Sequence, residues 1–182
     1  ALASLIKQHS QQAGRIVIYV SSEAGYQTTL SDAIVTLSMQ LNAPVVCSIN
    51  GLNAIQTDWH LHYGVIGLGA SKKAQKCWKS INQNDLLICF GLDIGEYETH
   101  FQTIKAKHTY IFSAFNHGYT FHNNRHLLHF SNPVHAISGD ILSNLNALID
   151  TLTPDFTRPS LTQLTPSSSR NPPYQERDIK PG

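Results

Sequence analysis

The chain has 182 residues, 41% of them hydrophobic, with 14% charged and a formal net charge of +1. That is one globular domain with enough apolar material for a core, and neither a disordered nor a polybasic chain. The charge balance gives no reason to expect nucleic acid or an anionic membrane as partner, and so sparse a charged surface suggests partial cover by other protein.

The elements follow in chain order. "ALASLIKQHSQQAG" puts Leu2, Leu5 and Ile6 on one helical face and is stopped by Gly14. "RIVIYV" (15–20) is a continuous β-branched and aromatic run, typical of a strand buried on both faces. Residues 28–42 space Leu30, Ile34, Leu37 and Leu41 as a helix, and "APVVCSI" (43–49) is a second buried strand. Residues 50–69, "NGLNAIQTDWHLHYGVIGLG", read as one long connecting loop, followed by a helix over 70–82 with Ala74, Cys77, Trp78 and Ile81 inward. "DLLICFG" (85–91) is the clearest strand; a loop and weak helix run to about Ile104. Further strands are expected at 107–115, 125–130 and 134–138, then a helix over 140–152 with Asp140 as N-cap. The alternation predicts an α/β domain: a Rossmann-like, doubly wound parallel sheet of about six strands with helices on both faces. Ligands in such sheets bind at the carboxyl ends of the strands, here Val20–Gly25, Ile49–Gly51, Gly91–Gly95 and Ser113–His117.

Residues 153–182 carry six of the eight prolines and a serine run without apolar period, and read as a linker. The chain does not begin with Met, as expected of a piece cut from a longer protein. Three cysteines, Cys47, Cys77 and Cys89, without a C-x-x-C pair, point to a reducing, cytoplasmic setting. No run approaches the length of a membrane span and no signal peptide is visible.

Candidate chemistry is thin. "GVIGLG" (64–69) has the glycines of a dinucleotide fingerprint in the wrong order, although amides at Gly67, Gly69 and Ala70 could face an anion from a helix start. The preferred reading is turn geometry near a domain contact. At the first strand end, Ser21 and Ser22 could donate to phosphate, but Glu23 would repel it. Neither neighbouring strand ends in a carboxylate that would hold a ribose, which argues against NAD. Ser21, Ser22, Gly67, Gly69, Gly91 and Asp93 are the candidate nucleotide crevice. Asp93, Glu96 and Glu98 form an acidic loop read as solvated. The ten histidines show no zinc spacing, no nucleophile elbow or G-K-[ST] loop occurs, and Cys47 and Cys89 read as inert core thiols. No catalytic or metal residue is assigned.

The segment "NAPVVCSINGLNAIQTDWHLHYGVIGLGASKKA" (42–74) resembles the central domain of thiamine-diphosphate-dependent enzymes, the group of acetolactate synthase, pyruvate oxidase, and pyruvate and indolepyruvate decarboxylases. The matching positions are Ala43–Pro44–Val45, Gly51, Ala54–Ile55, Asp58, Gly64, Gly67, Asp85–Leu86–Leu87 and Gly91. "EYETHF" and "ISGDILSNLNAL" resemble later elements, so the likeness covers about residues 1–152. The resemblance implies a six-stranded Rossmann-like fold of the DHS-like NAD/FAD-binding type, with residues 1–152 as the central domain and 153–182 leading to an absent C-terminal domain. It also implies that thiamine diphosphate and Mg2+ are bound elsewhere, by flanking pyrimidine- and pyrophosphate-binding domains, in a homodimer or homotetramer. The family's metal motif G-D-G…N is missing, since Gly139–Asp140 is followed by Ile141. The fragment itself is then expected to be non-catalytic, with a structural and oligomerising role in a 2-oxo acid decarboxylase or acetolactate-synthase-like parent. Relatives that bind FAD carry a glycine-rich first turn, a His-Gly after the G..G element and an Arg after the third strand. Here those places hold Ser21–Ser22–Glu23, Gly69–Ala70 and no Arg, and Leu52 and Asn53 depart from the family's "GKG". FAD is therefore disfavoured, while ADP stays open. The alternatives kept are an independent ADP- or FAD-binding regulatory domain and, more remotely, an NAD-consuming deacetylase-like enzyme.

Overall fold

The computed structural model describes residues 2–67, 69–91, 102–114 and 130–152. They form helix α1 (Leu2–Gln12), strand β1 (Arg15–Val20), the single turn α2 (Ser22–Gly25), α3 (Ser31–Leu41), β2 (Val45–Cys47), β3 (His62–Val65), α4 (Lys72–Lys79), β4 (Asp85–Phe90), β5 (His108–Ser113), β6 (Val134–Ser138) and α5 (Ile141–Thr151). The six strands make one sheet in the order β3-β2-β1-β4-β5-β6, and every neighbouring pair is parallel. Strand order reverses between β1 and β4. The carboxyl ends of those two strands are where a doubly wound fold places its crevice.

The alternation of side chains along each strand divides the core into two layers. Ile16, Ile18 and Val20 of β1, Leu86, Ile88 and Phe90 of β4, and Tyr110 and Phe112 of β5 pack under Ile6 of α1, Ile34, Leu37 and Leu41 of α3, and Ile141, Leu145 and Leu148 of α5. Val17, Tyr19, Leu87, Cys89 and Ile111 face the other way, against Ala74, Cys77 and Trp78 of α4. Each large apolar side chain so buried contributes about 1.5–3 kcal/mol relative to exposure. The central strands are covered on both sides, which is why they read as unbroken apolar runs.

Capping follows the side chains. The Asp140 carboxylate accepts from the Ser143 amide at 2.7 Å and starts α5, as expected. Ser71 Oγ accepts from the Ala74 amide at the head of α4. Asn42 closes α3 in the left-handed region, φ 45°, donating its amide to the carbonyls of Ser38 and Met39. The helix expected over 28–42 is shorter, because Thr28–Leu30 is a separate 3-10 turn before α3. In α1 only Ile6 of the expected apolar face is fully buried; Leu2 remains exposed.

The stretch 50–69, expected as one connecting loop, is not one. It opens with a 3-10 turn, Asn50–Ala54, and contains β3, whose His62, Gly64 and Val65 register with Val45, Val46 and Cys47 across a bulge. A four-residue, half-buried edge strand with a glycine has no apolar run to advertise it. Residues 125–129 of the expected strand 125–130 lie outside the described residues, as do 92–101 of the expected loop and weak helix; Phe130 forms an isolated parallel bridge with Ile104.

Candidate functional site

The carboxyl edge of the sheet is built by close backbone approach. At the end of β1 the Ser21 amide donates to the Phe90 carbonyl, and at the end of β4 the Gly91 amide donates to the Phe112 carbonyl. Gly91 has φ +74°, and a methyl group there would collide with Ser21 Oγ and come within 2.7 Å of Glu23 Cβ. Gly51 lies as tightly on the Val20 carbonyl, and Gly25 on the Asn50 carbonyl. Glycines at these positions let α2 and the 3-10 turn after β2 lie directly on the strand ends.

Glu23 then reaches across the end of β4 to β5. Ser113 Oγ donates to both of its carboxylate oxygens at 2.9 and 3.0 Å, and the Ala114 amide donates to Oε1 at 2.7 Å. The turn α2 carries Glu23 over the end of β4, and its side chain covers the one remaining strand spacing, roughly 5 Å, to β5. A carboxylate thus holds the hydroxyl and the backbone N–H that face the crevice from β5.

The six candidate crevice residues divide into groups. Ser21, Ser22 and Gly91 come together at the ends of β1 and β4. Ser21 is fully buried, and its Oγ, wedged against Gly91, has no hydrogen-bond partner among the described residues. Gly67 and Gly69 follow β3, which is separated from β1 by β2. Both have positive φ, 86° and 78°, and open space surrounds a Cβ placed on Gly69. The Ala70 amide is turned back onto the Gly67 carbonyl at 3.1 Å, closing a turn before α4. Asp93, together with Glu96 and Glu98, lies outside the described residues. The reading of Glu23 as a phosphate repellent missed its partners, because Ser113 and Ala114 lie ninety residues away along the chain and only the strand order brings them near.

A cysteine–histidine pair also appears: Cys47 Sγ is 3.7 Å from His62 Nε2. Burial pushes the Cys47 thiol up to about 12, and it lies 3.7 Å from the Gly64 carbonyl. Burial pushes the His62 imidazole down, opposed by its contact with the Thr57 carbonyl. A thiol held protonated far above neutrality is no nucleophile. Burial likewise raises Cys77 to about 11, and raises Cys89 further. Among the described residues no three His, Cys, Asp or Glu side chains are grouped to hold a metal ion.

The family described as "Thiamine pyrophosphate enzyme, central domain" matches residues 1–145. The chain belongs to that family. Among solved structures, this central domain is similar to a protein from Mycobacterium smegmatis described as thiamin diphosphate-dependent, at 19% sequence identity and TM-score 0.53. The likeness covers 85% of this chain and 28% of that one, so the central domain spans under a third of its structural relative. No curated protein matches the chain.

Thiamine diphosphate requires a divalent cation on its diphosphate and hard oxygen ligands to hold that cation. The described residues of this central domain do not supply such a set, and the crevice edge at β5 is taken by a carboxylate. The cofactor that names the family does not fit these residues.

Proposed function

We propose that this chain is the non-catalytic middle piece of a thiamine-diphosphate-dependent 2-oxo acid decarboxylase or acetolactate-synthase-like enzyme. It joins the pyrimidine- and pyrophosphate-binding domains, which hold thiamine diphosphate and Mg2+, and helps build a cytoplasmic homo-oligomer. Residues 153–182 form the linker to the later domain. The observation that carries this reading is the match of residues 1–145 to the family's central domain. In keeping with it, the chain's own Glu23 carboxylate occupies donors at the strand ends where a doubly wound domain would bind. The protonated, buried thiols supply no nucleophile in its place.

The test is turnover by the purified chain with thiamine diphosphate, Mg2+ and pyruvate. Carbon dioxide release should not exceed the buffer rate, and titration with FAD should evolve no heat of binding. Release above the buffer rate would overturn the reading.

A second reading, an independent ADP-binding regulatory domain, is favoured by one feature: the open space and positive φ at Gly69, at the head of α4. It requires micromolar ADP binding that is lost in Gly69→Asp.

A further inference from the structure

The donors that meet Glu23 are of the type that takes an anion. A serine hydroxyl at the last position of β5 and the first backbone N–H beyond it converge on one carboxylate. At the carboxyl edge of a parallel sheet, such groups donate to phosphate or carboxylate oxygens. The anion here comes from inside the chain. Glu23 is the third residue after β1, on the turn that Gly91 allows to lie over β4. Ser21 Oγ, buried and without a partner among the described residues, is sealed beneath the same turn, while the carboxylate is held by Ser113 Oγ and the Ala114 N–H. Burying an unbonded hydroxyl is unfavourable. The closed arrangement therefore has to be held by other contacts, and Glu23 supplies three of them.

We propose that Glu23 is a built-in ligand: its carboxylate fills an anion site made by Ser113 Oγ and the Ala114 N–H, and clasps the first turn over the switch point so that phosphorylated ligands are excluded. A free phosphate or nucleotide would have to displace a tethered carboxylate, whose effective concentration at the site far exceeds that of a free ion. Charge adds to the exclusion, because an anion approaching the occupied site meets like charge. This inference rests on the connecting role and adds to it the residue that fills the strand-end site. Its failure leaves that role standing, because the domain can link its neighbours with or without a clasp.

The test follows the Ala114 amide by 15N–1H correlation spectroscopy in the 182-residue chain as inorganic phosphate is added. In the wild type that resonance should not move. In Glu23→Ala, which vacates the site, it should shift saturably, with phosphate affinity about tenfold or more above the wild type, and phosphate should raise the melting temperature of the variant alone. A folded Glu23→Ala chain with an unmoved Ala114 resonance would overturn the proposal, as would an equal response in the wild type. Should Glu23→Ala fail to fold, Glu23→Gln decides, since it keeps one acceptor oxygen and loses the charge. A gain in phosphate affinity at Ala114 over the wild type supports the clasp, and an unchanged affinity refutes it.

Discussion

Arg15 and Asp85 stand at the first positions of β1 and β4, register opposite one another, and close a 2.7 Å ion pair between Nη2 and Oδ2. Asp85 is 3% exposed and its Oδ2 also accepts from the Asn82 amide, while Arg15 Nη1 donates to Ser80 Oγ. The pair locks the amino ends of the two central strands, opposite the edge where Glu23 works. Removing the carboxylate leaves Arg15 Nη2 and the Asn82 amide without Asp85 Oδ2, while Nη1 keeps Ser80 Oγ. Asp85→Ala should lose about 3 kcal/mol of stability, read from urea denaturation. A loss within error of zero would show that the pair is solvated in solution.

The glycines separate positions of close approach from positions of mere turn geometry. Gly51→Ala drives a methyl into the Val20 carbonyl, a backbone atom that cannot turn aside, and should cost about 3 kcal/mol or more. Gly69→Ala meets open space and bears only the penalty of its positive φ, about 1–2 kcal/mol. Thermal melts of the two variants check the order. If Gly69→Ala were the more damaging, the packing at the end of β1 would be looser than described.

Histidines join α1 to the sheet. The His9 and His108 rings stack at 3.6 Å, Tyr110 Oη lies 2.7 Å from His9 Nδ1, and His135 stacks on Tyr110 at 4.8 Å. Burial first, then the positive charge of His135 and Lys107, holds His9 below the ordinary value of 6.5. His108 is lowered by burial, and then by His9, Lys107 and His135. Groups lowered in the folded state bind protons more readily when unfolded. Stability is therefore unaffected above the ordinary histidine value and falls as pH drops through 6.5 toward the lower folded values. The melting temperature should decline between pH 7 and pH 5, and His9→Gln should flatten the decline. An equally steep decline in His9→Gln would remove His9 as a cause.

Most of the sheet was legible from the sequence because its central strands are covered on both faces. "DLLICF" is buried end to end and "RIVIYV" from Ile16 onward, and such runs announce themselves. The inward faces of α3 and α4 followed from spacing in the same way, with Leu37, Leu41, Ala74 and Trp78 all buried. β3 was hidden because an edge strand of half-buried residues has no such run. The clasp was hidden for a different reason. Glu23 was visible as an acidic residue at a strand end, but its meeting with Ser113 and Ala114 depends on β5 lying two places from β1, which no local pattern records. The family resemblance at 42–74 was carried by positions such as Gly51, whose need for glycine the backbone contact with Val20 now explains. The same holds for Gly91, which has to admit Ser21 and Glu23 over β4.

The connecting role is tested most directly by sequencing the coding region on both sides of this chain. The account predicts an open reading frame continuing past Gly182 into a domain with a G-D-G…N motif, and a preceding domain with a glutamate placed for the thiamine pyrimidine. A frame bounded by a start codon just before Ala1 and a stop codon just after Gly182 would contradict it.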